Sequence, residues 1–459
     1  MKNRSFRLFV LLFAVTSLLS PSIVPAAQGR AQAKNVIIMI GDGMGPSQFG
    51  AAWIYSNRVL KKELHMSELI NQGRTAYLVN DTADAIVTES AAAAGQIATG
   101  QRMTARALSM AADGKTPVKT ILEMAKGRKM ATGLVTTSGI TDATPGAFAA
   151  HVARRSDEES VADQELKCGV DVLMGGRKQF FLPENAGGKR KDGRNLMEEA
   201  QKAGYTVAGT AEELKAAPAG KILGLFNMGN MSYEIDRSAT AEPSLAEMAE
   251  KTLQLLSKSK NGFFAMIEAG RIDHAAHRND AAATIREALA FDEAVGVAMD
   301  FVKKNPATLL IVTADHETAG MALVGHGKES KEYVGMDLKA IEKSKVSFES
   351  MAAKWGKKPT PEKIQEIVKQ SMDIDLTDDE ARTVADDAIK KLDPYNYNYD
   401  YLHSLAFVLR PYLRVGWGSQ THTASPLFLF GEGPGSQRIH GLMHNTEIFT
   451  VMKAALKLK

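Results

Sequence analysis

Five short runs in this chain are apolar at nearly every residue: NVIIMI at 35–40, TAYLV at 75–79, TGLVTT at 132–137, FFAMI at 263–267 and TLLIVT at 308–313. A strand with one wet face alternates apolar and polar residues, so runs without alternation belong to strands covered on both faces. Between them lie segments such as EALAFDEAVGVAMDFVKK, whose apolar residues recur at helical spacing. The expected fold is α/β: an α/β/α sandwich around a central, mainly parallel sheet.

Two stretches depart from this rhythm. From 328 to 410 the chain turns charged and helix-prone, as in TPEKIQEIVKQSMDIDLTDDEARTVADDAIKKL, and then reads YNYNYDY. We expect a helix-rich insertion there, capping a core built from 34–327 and 411–459, with its charged residues on solvated helix faces. At the other end, Lys2, Arg4 and Arg7 precede LFVLLFAVTSLLS, and cleavage points follow Ala26, Ala27 or Ala33. Residues 1–33 therefore read as a cleaved signal peptide, which implies a periplasmic or secreted protein. The apolar stretch is shorter than the roughly 20 residues of a bilayer span, so no stable membrane span is expected.

A formal charge of +3 without a long basic run argues against a nucleic-acid partner. Cys168 is the one cysteine, so no disulfide within the chain can help hold an exported fold. LKCGV shows no obvious activating group, although Lys167 keeps a nucleophilic role open, and a small, partly buried side chain is the simpler reading.

In open α/β sheets, ligands bind where loops leave the carboxyl ends of strands. NVIIMI runs into Asp42 in GDGMG, FFAMI into Glu268 and then Asp273, His274 and His277 in RIDHAAH, and TLLIVT into Asp315 and His316 in ADHET. Asp273 and His277 stand at i and i+4 and share one helical face. His422 lies ahead of the apolar run LFLF. Singly, these residues have ordinary explanations: a turn, a helix cap, a core histidine. GDGMG also resembles a phosphate loop, but it matches neither GxGxxG nor GxxxxGK[ST]. Carboxylates at three strand ends, two of them with histidines, suit a pair of divalent ions acting at phosphorus. Ser90, before an alanine-rich helix, is either a helix cap or a nucleophile at an anion-binding N-terminus. Asp142 and Thr144 in TDATP are followed by Arg154 and Arg155, either of which could grip phosphate oxygens through its planar fork.

Taken together, these motifs resemble the alkaline phosphatase family over most of 35–327 and 415–459, including the tail HNTEIFTVMKAALKL. The resemblance implies hydrolysis of phosphate monoesters through a covalent phosphoserine on Ser90, with Arg155, eleven residues beyond Thr144, holding two phosphate oxygens. It implies two Zn²⁺ ions, one on Asp273, His277 and His422 and the other on Asp42, Asp315 and His316. It also implies one Mg²⁺ on Asp42, Thr144 and Glu268. Asp142 and His274 would then stand behind the third ion or near phosphate through water. Glu89 replaces the aspartate that many members carry before the serine, which puts the placement of Arg155 in question. Members of the family are commonly homodimers. A sulfatase or phosphodiesterase of the same fold is a neighbouring reading, but ESAAA is not C/S-x-P-x-R, and a diesterase usually has a threonine nucleophile. An exported metal or phosphate scavenger that has lost turnover is a reading of another class, and Ser90 together with Arg155 speaks against it, since a metal store needs neither; ions acting only as folding staples would leave Ser90 without a catalytic role.

Overall fold

A computed structural model describes residues 32–325, 335–356, 358–388 and 403–459. Its strands in chain order are β1 (Asn35–Gly41), β2 (Arg74–Val79), β3 (Ala131–Gly139), β4 (Val172–Gly176), β5 (Tyr205–Ala208), β6 (Lys221–Leu225) and β7 (Phe263–Ala269). There follow β8 (Thr308–Thr313), β9 (Glu317–Thr318), β10 (Met321–Ala322), β11 (Gly416–Trp417), β12 (His422–Thr423), β13 (Leu427–Glu432) and β14 (Gly441–His444). Ten of them form one sheet in the order β14-β2-β13-β8-β1-β7-β3-β4-β6-β5. β13 runs antiparallel to both of its neighbours, and the other pairings in the sheet are parallel.

The expected runs all fall on strands, and four of them form the middle of the sheet, β8-β1-β7-β3. β1, β7 and β8 are buried at every residue, as the absence of alternation requires. TAYLV differs: Thr75 and Tyr77 are exposed while Ala76 and Leu78 are buried, so β2 has one open face. It lies next to the edge strand β14, and its short apolar run conceals an ordinary alternating pattern.

Helices cover both faces. Leu245–Leu256 and the long Ala281–Lys304 pack together on one side, while Ile121–Gly127, Ala143–Ala149 and Ser90–Thr99 group on the other. Burying each large aliphatic side chain of the central strands contributes about 1.5–3 kcal/mol, which makes the middle of the sheet a rigid base. In register, Gly41 stands beside Ala269, Ile40 beside Thr313, and Glu268 beside Thr136, so the carboxyl ends of the four central strands are level. Residues that leave them must meet.

Within 328–410 the described residues form the helices Leu338–Lys343, Phe348–Trp355, Pro361–Met372 and Asp378–Ala388, followed by His403–Leu413. They bury Ile341, Phe348, Met351, Ile364 and Leu405 in a cluster shared with Ala51, Tyr55 and Ala282 of the core. Asp280 joins the two parts: it caps the Ala281–Lys304 helix through the Ala283 amide at 3.0 Å and accepts the Phe348 amide at 2.7 Å. The YNYNYDY segment and residues 1–31 lie outside the described residues. Among the described residues, no helix is long and apolar enough to cross a membrane. Cys168 ends the Glu158–Cys168 helix, and burial pushes its thiol up to about 11, which disfavours the thiolate.

Candidate metal and phosphate site

Just past β1 the turn at Asp42 comes close to the backbone of Asp273. Gly43 has φ +72°, and a Cβ there would lie 2.7 Å from the Asp273 Cα. Its amide donates to Asp315 Oδ1 at 3.2 Å. GDGMG is thus a packing turn that presses three metal-ligand candidates together, with no part of a phosphate loop.

Asp273 and His277 share a face of the Arg271–His277 helix, with His277 Nε2 3.2 Å from Asp273 Oδ1. The β9–β12 pairing brings His422 alongside, its Nε2 at 3.0 Å from His277 Nε2 and 3.5 Å from Asp273 Oδ1. A second group forms around His316, whose Nε2 lies 3.5 Å from Asp42 Oδ1, 3.2 Å from Asp315 Oδ2 and 3.1 Å from Ser90 Oγ. Donors about 2.0–2.1 Å from a tetrahedral ion are separated by roughly 3.3–3.4 Å, which is the spacing of both groups. Donor atoms of Asp42, Asp315 and His316 fall within 4.8 Å of one another, and so do those of Asp273, His316 and His422. His316 stands between the two groups, stacked on the His422 ring with centroids 3.6 Å apart.

The imidazoles are already committed at their other nitrogen. His277 Nδ1 donates to the Gln420 carbonyl at 2.5 Å and His422 Nδ1 to the Thr88 carbonyl at 3.0 Å. Thr318 donates to Asp273 Oδ1 at 2.5 Å, so its oxygen accepts from His316 Nδ1 at 3.3 Å. These partners assign each neutral ring a lone pair at Nε2. When both rings are neutral, the Nε2 atoms of His277 and His422 face each other as two acceptors, an arrangement that suits a shared cation; in the absence of metal, Asp273 raises the pKa of His277 in spite of burial and favours a proton there.

The carboxylates point the same way. Asp42 Oδ1, Asp315 Oδ2, Glu268 Oε2 and Thr144 Oγ1 are buried and without a hydrogen-bond partner. Each such group costs about 1–3 kcal/mol when nothing satisfies it. Burial, with Asp315 and Asp273 nearby, raises Asp42 well above the usual carboxylate range. Burial pushes Glu268 up to about 8 and, with Asp273, pushes Asp315 up to about 6. It also pushes His316 down to about 4 and His422 to about 3, so both rings are neutral at pH 7, the form that ligates metal. Asp273 is held low by His277 in spite of burial. Hard oxygens with imidazole nitrogens form a donor set that fits zinc, and the oxygens of Asp42, Thr144 and Glu268 fit magnesium.

Ser90 opens the Ser90–Thr99 helix, but its cap is Glu89, which accepts the Ala91 and Ala92 amides at 3.1 and 2.9 Å. This corrects two expectations. Ser90 is not the cap, and those two amides are not free for an anion. Glu89 also accepts Arg155 Nη1 at 2.9 Å, and Asp142 Oδ1 accepts Arg155 Nη2 at 2.8 Å. Its extra methylene lets Glu89 cap the helix and still hold Arg155, whose neighbour Arg154 is exposed. Arg177 was missed. It donates Nη2 to Asp142 Oδ2 at 2.9 Å. The strand-end rule would have found it had the brief run VLMGG been recognised as β4. His274 belongs to neither donor group; its Nδ1 lies 3.0 Å from Arg271 Nη1, and burial pushes the ring down to about 3.

A family model described as alkaline phosphatase matches residues 33–458. Alkaline phosphatase 4 of Bacillus subtilis (strain 168) is 32% identical over 439 residues, covering 93% of this chain and 90% of that one. The crystal structure of Thermus thermophilus alkaline phosphatase superposes with a TM-score of 0.86 at 33% identity, covering 96% of each chain. A mutant alkaline phosphatase from TAB5, with Mg bound in the M3 site, gives a TM-score of 0.67 at 26% identity over 94% of this chain and 99% of that one.

Proposed function

The chain belongs to the alkaline phosphatase family of metal-dependent phosphomonoesterases, and from that premise we propose that it works through a phosphoserine on Ser90. Ser90 Oγ attacks the ester phosphorus, forming the new P–O bond while the alcohol leaves, and water then hydrolyses the phosphoserine to inorganic phosphate. Arg155 binds two phosphate oxygens with its planar fork, held in position by Glu89 and Asp142.

Asp273, His277 and His422 would hold one zinc and Asp42, Asp315 and His316 the other, while Asp42, Thr144 and Glu268 would hold magnesium. The observation that carries this reading is the set of histidine Nε2 atoms, each ring held through Nδ1, gathered against Asp273 and against the partnerless oxygens of Asp42 and Asp315. The magnesium bound by the TAB5 relative supports the third site. Divalent ions held there supply Lewis acidity to the transferring phosphoryl group. His274 and Asp142 stand behind these ligands.

The proposal includes export from the cell, supported by the sequence of residues 1–33, and a homodimer, supported by the family. It treats 328–410 as an insertion on the catalytic core.

Acid quenching during turnover of a phosphate monoester tests the reading. Wild-type protein should carry one acid-stable phosphate, while Ser90→Ala should carry none, turn over roughly 10⁴-fold or more slowly, and keep its metal. A labelled phosphoprotein from the variant would move the nucleophile elsewhere.

A further inference from the structure

Arg177 opens the segment after β4 with φ +60°, a left-handed conformation unusual for a side chain of this size. Holding a non-glycine residue there costs on the order of 1 kcal/mol and persists where the surroundings demand it. Gly139, at the end of β3, makes the room: a Cβ there would lie 2.1 Å from the Arg177 Cδ. The guanidinium is then paired at every nitrogen. Nε donates to Asn230 Oδ1 at 2.9 Å, Nη1 to Glu158 Oε2 at 2.8 Å and Nη2 to Asp142 Oδ2 at 2.9 Å.

Asp142 is the shared element. Its Oδ1 accepts Arg155 Nη2 and the Ala143 amide; its Oδ2 accepts Arg177 Nη2 and the Ser138 hydroxyl at 2.7 Å. Each oxygen holds one arginine, and the carboxylate has no capacity left to rotate. Without Arg177, the fork of Arg155 could close on both Asp142 oxygens, the geometry that guanidinium and carboxylate prefer. That would turn toward Asp142 the donor edge that phosphate needs.

We infer that Arg177 is a positioning residue for phosphate binding, fixing the Asp142 carboxylate so that it offers Arg155 a single oxygen. The inference rests on the reading of Arg155 as the phosphate ligand. A simpler role also fits the contacts: Arg177 could serve only to pin the Glu158–Cys168 helix to the sheet. The two roles differ in whether the effect passes through Arg155.

A double-mutant cycle separates them, with inhibition by inorganic phosphate as the readout on the metal-loaded enzyme and bound zinc as a control. Arg155→Ala should weaken phosphate inhibition. Arg177→Met should also weaken it, roughly tenfold, yet change it less than about twofold in the Arg155→Ala background, because coupled residues are not additive. Arg177→Lys, which keeps the charge but not the fork, should recover part of the loss, and it carries the same cycle if the methionine variant fails to fold. Equal effects in both backgrounds, or no effect in the parent, would overturn the inference while leaving Arg155 in its role. An unchanged inhibition constant in Arg155→Ala would instead remove the premise, and the inference with it.

Discussion

Two halves of one site stand side by side in different electrostatic conditions. Around Asp42, Asp315 and Glu268, buried carboxylates crowd one another, their pKa values rise, and several of their oxygens have no partner. A few residues away, Arg155 and Arg177 form ion pairs with Glu89, Asp142 and Glu158, so there opposite charges meet. Asp142 is as buried as Asp42, yet its pKa falls where the other rises, because two guanidinium groups outweigh burial. The difference teaches what each half awaits. The carboxylate cradle is complete only with added positive charge, whereas the arginine bracket is assembled before any ligand arrives.

Stripping metal is the strongest way to break this comparison. A chelator should abolish activity and lower the melting temperature, since a ligand at a thousand times its Kd stabilises the folded state by about 4 kcal/mol. Calorimetry with and without chelator checks it, and unchanged melting would mean that the cradle needs no cation.

A sharper version compares two aspartates in the chelated protein. Asp315→Asn removes a like charge and keeps an oxygen for the Gly43 and His316 amides, so metal-free stability should rise by about 1 kcal/mol. Asp142→Asn leaves two buried guanidinium groups short of charge and should cost about 2 kcal/mol or more. Denaturant melts of both variants should move in opposite directions; shifts of the same sign would show that the halves are not electrostatically distinct.

The smallest expected effect lies at the rim, where Glu349 of the insertion binds Arg271 at 3.0 Å and also pairs with Arg278. Burial opposes ionisation of Glu349, but the two arginines bring its carboxyl down to about 2. A depressed acid contributes stability that is present above the ordinary carboxylate pKa, about 4.3, and lost as pH falls toward the folded value. The side chain is 44% exposed, so Glu349→Gln should cost only about 0.5 kcal/mol at pH 7. That gap from the wild type should close between about pH 4 and 2. A gap that persists at pH 2 would assign it to packing.

Much of the cradle could be read along the chain, because one rule covers it. Buried strands announce themselves as unbroken apolar runs, and their carboxyl ends must meet when the strands are neighbours. Asp42, Glu268, Asp273, Asp315 and His316 all follow that rule. The bracket follows it only in part: Asp142 and Arg177 lie just past the ends of β3 and β4, but Glu89 and Arg155 leave no strand of the sheet and stand 66 positions apart. β4 ends in two glycines and is too short to stand out, so Arg177 went unseen. Glu89 was read as a lengthened aspartate, and its second task of capping a helix emerged only from backbone geometry. The one-sided exposure of β2 depends on its place near the sheet edge, which local composition does not carry.

The central claim is that the cradle is built for cations, and diffraction from crystals of the purified protein, recorded on both sides of the zinc absorption edge, tests it most directly. We predict two anomalous peaks, one among Asp273, His277 and His422 and the other among Asp42, Asp315 and His316 beside Ser90. An active enzyme with no anomalous peak at either position would contradict the account.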